Sequence, residues 1–320
     1  MMTRHTVTTG LTALPALLTV LALAACAAPP QTEPPGPVSA AAVDSATLMR
    51  DISVLAHDSM EGRLVGTPGG ERARRFLLGR FGEIGLQQYG GTFEQPFTFE
   101  RQGQQITGVN VVGHVRGSAV PDRYIVITAH YDHLGIRNGE IYNGADDNAS
   151  GTAALLALAD YFSRNQPRHS IIFAALDAEE GGLRGARAFV ASPPVAREAI
   201  AINVNMDMVG RNDANELYVA GTHHYPQLLP FVERTATGAE VRLIPGHDTP
   251  NPANPSDDWS MASDHGAFHE QGIPFLYFGV EDHPDYHRPT DTFEGIQPGF
   301  YNRAVRTVLA VVRLLDTELQ

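Results

Sequence analysis

Four short apolar runs constrain this chain more than any other feature. They are "YIVITA" (Tyr124 to Ala129), "SIIFAAL" (Ser170 to Leu176), "AINVNM" (Ala201 to Met206) and "PFLYFG" (Pro274 to Gly279). Each is nearly continuous and rich in β-branched or aromatic residues, as strands covered on both faces are. Helical spacing lies between and after them: Ala149 to Ser163, Leu183 to Val190, Tyr225 to Thr235, and a last amphipathic stretch from Pro298 to Leu319. Ahead of them stand a helix from Ser45 to Ala56, a second in "TPGGERARRFLLGRFGEIG", and an alternating strand "GVNVVGHVRG". Strands alternating with helices predict an α/β fold, a mostly parallel but mixed sheet flanked by helices.

The residues just past each strand matter as much. The first run leads into "HYDHLG", with His130 and Asp132. The second leads into "DAEEGG", with Glu179 and Glu180, the third into Asp207, and the fourth into "VEDHPDYHRPTD", with His287. Ligands of open parallel sheets sit beyond the carboxyl ends of the strands, so these residues share one rim. The stretch "YNGADDNASG" lies in the loop after the first run and reaches the same place. Taken alone, Asp147 and Asn148 are good helix caps. Taken together, Asp132, Asp147, Glu179, Glu180 and Asp207 are five carboxylates that would repel one another and protonate without compensation. Two divalent cations remove that difficulty, and imidazole plus carboxylate without thiolate suits zinc. His130 and Asp132, two apart, fall on one side of an extended chain, which suits a carboxylate orienting a ligand imidazole. His133 reads as a loop residue and Asp146 as a solvated acid.

The rest of the chain narrows the class. A formal net charge of −13 over 320 residues argues against a nucleic-acid partner. Leu11 to Ala25 is apolar but short for a membrane span, and it ends in "LAAC". That ending resembles the bacterial lipobox, in which the cysteine is lipidated. The expected organisation is a signal segment over 1–25, a Pro/Ala-rich tether over 26–43 anchored through lipidated Cys26, and one domain over 44–320. Membrane contact is then through Cys26 only, with the domain facing the periplasm from the cell envelope, at the outer membrane. Cys26 is the only cysteine, so the domain has no disulfide and no thiol nucleophile.

The motifs "HYDHLG", "GADDNASG", "DAEEGGLRGARAF", "NMDMVGR", "SDHGAFHEQGIPFLYF" and "DYHRPTDT", in that order, resemble the di-zinc aminopeptidases of metallopeptidase family 28. "MEGRLVGTPGGERA" is similar to the family's bacterial members. The resemblance implies a zinc-exopeptidase-like fold with two Zn2+, and too few residues separate the N-terminal helices from the first site strand to hold the family's optional inserted lid domain. His130 and Asp207 would bind one ion and Glu180 and His287 the other. Asp147 would bridge them, with a cis peptide bond after it. Glu179 would be the general base acting on a metal-bridged hydroxide, and Tyr286 would stabilise the oxyanion. Ser263 is a candidate to orient His287 or Asp207, with Asp264 a weaker one. The expected substrates are peptides with a free N-terminus. Alternatives are a carboxypeptidase or dipeptidase of the family, with Arg184, Arg211 or Arg288 gripping a carboxylate, and a glutaminyl cyclase-like transferase. The Pro-rich stretch Ile244 to Ser263, with Trp259, is a candidate pocket wall.

Overall fold

A computed structural model describes residues 1–10, 38–251 and 253–319. The chain divides into two compact units, Met1–Glu33 and Pro34–Gln320. In the first unit, residues 1–10 are exposed and without regular structure. Cys26 and the lipobox-like stretch lie outside the described residues. Among the described residues, no helix is long and apolar enough to cross a membrane.

In the second unit, helices α1 (Ser45–Leu55) and α2 (Pro68–Ile84) precede strands β1 (Glu94–Arg101), β2 (Gln104–Val115) and β3 (Val120–His130). A small hairpin of β4 (Gly135–Arg137) and β5 (Glu140–Tyr142) leads to α3 (Gly151–Arg164), β6 (His169–Leu176), α4 (Arg184–Ala191) and β7 (Ile200–Met206). Then come β8 (Glu216–Ala220), α5 (Leu229–Ala236), β9 (Arg242–Pro245), α6 (His265–His269), β10 (Phe275–Gly279) and α7 (Pro298–Glu318). Val43, at the end of the expected tether, is buried, and Val38 and Ala42 pack against the same core.

Eight strands form one sheet in the order β1-β2-β6-β3-β7-β10-β8-β9. The four apolar runs are its middle, β6-β3-β7-β10, and every pairing among them is parallel. Their carboxyl ends therefore lie along one edge. Antiparallel pairings flank them, β1 with β2, β2 with β6, and β10 with β8. Alternation sorts side chains to the two faces. Ile125, Ile127 and Ala129 join a core that includes Leu77 and Phe81 of α2, Leu155 of α3, Val232 of α5 and Val308 of α7. Val126, Ile172 and Ala174 face Ala186 and Phe189 of α4 and Phe268 of α6. Both faces are covered, which is why these strands are mostly apolar; buried exceptions Thr128, Asn203 and Asn205 are joined by hydrogen bonds.

Sequence periodicity did not reveal β1, β8 and β9. β1 alternates between exposed and half-buried residues and carries Pro96, as a marginal strand can. β8 and β9 are five and four residues long, too short for a pattern.

Candidate metal centre and active site

β3 delivers His130 as its last residue, and Asp132 and His133 follow, fully buried. β6 ends just before the turn that carries Glu179 and Glu180, and Asp207 directly follows β7. Tyr286 and His287 come from the loop beyond β10. Three of these exits pass through a non-glycine residue in the left-handed region: Ala178 (φ 58), Met208 (φ 58) and His287 itself (φ 54). Such residues cost about 1–3 kcal/mol each and persist where the surroundings dictate the backbone. Here each adjoins or is a predicted site residue.

Asp147 lies in the wide turn Ala145–Ser150 ahead of α3, and its bond to Asn148 is cis. Its two oxygens face different partners. Oδ1 is 3.4 Å from His130 Nε2, which lies 3.3 Å from Asp207 Oδ1. Oδ2 is 3.0 Å from His287 Nε2, which lies 3.4 Å from Glu180 Oε2. The donors thus form two sets that share Asp147. Nitrogen and oxygen donors held about 2.0–2.2 Å from a tetrahedral zinc ion sit roughly 3.3 Å apart, close to these separations. His130 Nε2, Asp207 Oδ1 and Glu180 Oε1 are buried with no hydrogen-bond partner. Buried polar atoms are nearly always paired, so this donor set fits divalent cations.

The electrostatics agree. Burial works against charge on His130, but the facing Asp207 and Glu179 carboxylates outweigh it and raise the imidazole well above its usual value. Burial also works against Asp147, and His133, His130 and His287 outweigh it, holding its carboxyl well below the carboxylate range. Glu179 is raised well above that range by burial, with Asp207, Asp264 and Glu180 adding to it.

The neighbours fix these groups. Asp132 Oδ1 accepts the Glu179 backbone N–H at 2.9 Å and lies 3.6 Å from His130 Nδ1. The Asp132 backbone oxygen is nearer that nitrogen, at 3.2 Å, so this residue ties two strand exits together. The Ser263 hydroxyl is buried and accepts from Asn205 Nδ2 at 2.9 Å, two residues before Asp207. Asp264 is fully buried, and burial raises its carboxyl to about 8. Tyr286 stacks on His287 at 3.9 Å and lines the cleft.

Two sequence readings are corrected. Asp146 is not solvated. It is fully buried, its Oδ1 accepting the Gly210 N–H at 2.7 Å and its Oδ2 lying 3.2 Å from His283 Nε2. His133 is not merely a loop residue either, because its Nδ1 lies 2.7 Å from Glu180 Oε1.

Three further residues bear on the site. Arg63, wholly buried, donates to the carbonyls of Tyr131 (2.7 Å), Leu55 (2.8 Å), Asn143 (2.5 Å) and Gly144 (2.8 Å). It joins the segment after His130 to the one before Asp147. Burial lowers it to about 10, while Asp147 and Asp291 support its charge. Asp291 accepts the backbone N–H groups of Asp146 (3.0 Å) and Asp147 (3.1 Å), holding the turn from outside. Tyr277 of β10 forms part of the cleft wall. Arg63 and Asp291 stand in "MEGRLVG" and "DYHRPTDT", stretches that carry family likeness but no spacing signal for either residue. Their roles depend on contacts across the fold.

The cleft has a volume of about 440 Å³. Asp147, Glu179, Glu180, Asp207, Tyr286 and His287 line one part, and Leu183, Met208, Trp259, Met261 and Val280 supply apolar wall.

The sheet thus delivers imidazole and carboxylate donors from its parallel strand ends into one cleft, in two groups able to hold metal ions. Residues 110–312 match Peptidase family M28, and the chain belongs to that family. Aminopeptidase YwaD of Bacillus subtilis (strain 168) is 31% identical over 72% of this chain and 49% of its own length. The zinc aminopeptidase BSAP from Bacillus subtilis superposes with a TM-score of 0.69 at 18% identity, covering 84% of this chain and 95% of that one. The glutaminyl cyclase of Porphyromonas gingivalis gives 0.70 at 18% identity, covering 84% and 98%. At such identities the structural likeness concerns the fold. The chain spans less than half the length of the curated relatives it matches.

Proposed function

We propose that this chain is a two-zinc aminopeptidase that removes N-terminal residues from peptides. The observation that carries the reading is the split of Asp147, one oxygen turned to His130 and the other to His287. His130 and Asp207 would hold one ion, Glu180 and His287 the other, and Asp147 both. Bound zinc supplies Lewis acidity toward the scissile carbonyl and lowers the pKa of water to about 7 in favourable sites. Glu179 takes the proton of the attacking water and returns it to the leaving amine. The Tyr286 hydroxyl donates to the oxygen of the tetrahedral intermediate. Ser263 and Asp132 hold Asp207 and the Glu179 backbone in place.

The cleft wall favours an ammonium over a carboxylate. Beyond the metal donors and the base, Asp282 lines it, whereas Arg184, Arg211 and Arg288 do not. Arg187 does, but it pairs with Glu270 at 2.9 Å. An aminopeptidase fits this wall better than a carboxypeptidase. We also propose that Cys26 is the lipid anchor that keeps the domain on a periplasmic membrane face. Loss of lipid labelling in Cys26→Ser tests that point.

The activity is tested with free-amine peptides and their N-acetylated twins, before and after chelation and zinc return. Zinc-dependent release from the free-amine set alone is expected. Equal cleavage of both sets, or of neither with zinc bound, overturns the aminopeptidase reading. Glu179→Gln is expected to lower kcat at least about 100-fold, the low end for general acid–base catalysis, with zinc still bound. Near-normal turnover would remove Glu179 from its role.

A further inference from the structure

We propose that His133 is a metal ligand, its Nδ1 binding the same ion as Asp147 and Glu180. The inference rests on the two-zinc reading and adds a donor to it. His133 is fully buried, and neither of its ring nitrogens has a hydrogen-bond partner. Leaving such an atom unpaired in a protein interior costs about 1–3 kcal/mol.

The local geometry shows what pairs it. His133 Nδ1 approaches Glu180 Oε1 to 2.7 Å and Asp147 Oδ2 to 3.7 Å. Yet Glu180 Oε1 also has no hydrogen-bond partner, so the short approach is not an aligned N–H···O bond. Two donor atoms that lie this close with no aligned hydrogen bond between them would both be satisfied by a cation that drew them slightly apart. His133, Asp147 and Glu180 each offer an atom there within 4.8 Å of the others, as His130, Asp147 and Asp207 do on the other side.

The ring is fixed from behind. Gly144 adopts φ 55, and a β-carbon there would fall 2.5 Å from the His133 ring and onto the Asp147 carbonyl. The backbone of Gly144, held by Arg63, thus backs the imidazole. By contrast, His287 has an exposed side chain, at 38%.

The two ions are therefore unequal. The Glu180 side has a buried imidazole in addition to His287, while the Asp207 side has His130 alone. A site with more protein donors is the more closed and structural kind, and one with fewer keeps an open position. The Glu180-side ion is the tighter one, and the Asp207-side ion exchanges first.

The test has two parts, both on the full chain. Zinc-edge X-ray absorption on the two-zinc wild type counts imidazoles directly. Three imidazoles shared by two ions are expected, and two overturn the proposal without any variant. Zinc titration against a chromophoric chelator then compares wild type with His133→Gln, with far-UV circular dichroism as the folding control. Wild type is expected to bind two ions with unequal Kd. The variant is expected to weaken the tighter one by more than the roughly 10–100-fold typical of a group that only orients a ligand. An unchanged Kd, or a weaker Kd with the same imidazole count in wild type and variant, overturns ligation by His133. A wild type that binds no zinc overturns the two-zinc reading itself, a result distinct from both.

Discussion

His265 shows how far burial alone can set a residue's chemistry. It is fully buried at the start of α6, stacked on Tyr277 at 4.4 Å, with Nε2 2.8 Å from the Trp259 carbonyl. Burial lowers its imidazole from 6.5 to about 3, and His269 nearby adds to that effect. A group with a depressed folded pKa is neutral in the fold while the unfolded chain takes a proton. Its contribution to stability is present above the unfolded value of 6.5 and is lost as pH falls toward about 3. Between those limits wild type should lose about 1.4 kcal/mol per pH unit more than His265→Gln. Urea unfolding of both proteins at several pH values measures the difference, and parallel profiles would refute it. Nothing in "SDHGAFHEQG" distinguishes His265 from His269, because burial is a property of the packed chain. The same holds for Asp146 and His133. Their sequence context read as a solvated acid and a loop residue, and only the fold showed which atoms they face.

At the scale of elements, the apolar runs were legible because a strand covered on both faces needs apolar residues at most positions. The margins were not, since β1, β8 and β9 carry mixed patterns or are very short. Contacts between distant elements were hidden too. The Asp316 carboxylate near the end of α7 accepts the backbone N–H groups of Arg168 (2.9 Å) and His169 (2.7 Å) at the start of β6. Asp316→Ala would leave both donors unpaired in a mostly buried place, at a cost of about 1–3 kcal/mol for each group. Chemical denaturation should show a lower midpoint with an unchanged slope. An unchanged midpoint would mean that water replaces the carboxylate at no cost.

At the scale of the molecule, an acidic chain concentrates carboxylates at one sheet edge. Arg63 is the one buried guanidinium placed against them among the described residues, and it spends its donors on carbonyls. Cations that bind the folded site and not the unfolded chain stabilise by mass action, about 2.7 kcal/mol per site at a hundred times Kd. Adding zinc to the metal-free protein should raise Tm by several degrees, and a chelator should reverse the rise. A Tm indifferent to both would disconnect the carboxylate cluster from metal binding.

The sequence by itself determined the alternation of strands and helices, the edge on which the chemistry gathers, and the residue types able to hold zinc. Those properties are local or periodic, so one-dimensional spacing carries them. Tertiary structure alone decided that the two oxygens of Asp147 face separate donor sets and that His133 crowds against one of them. It also decided that Arg63 and Asp291 brace the turn from 81 and 145 residues away, as counted from Gly144 and Asp146. Such roles depend on distances between residues far apart in the chain, which are set only when the sheet and its helices pack.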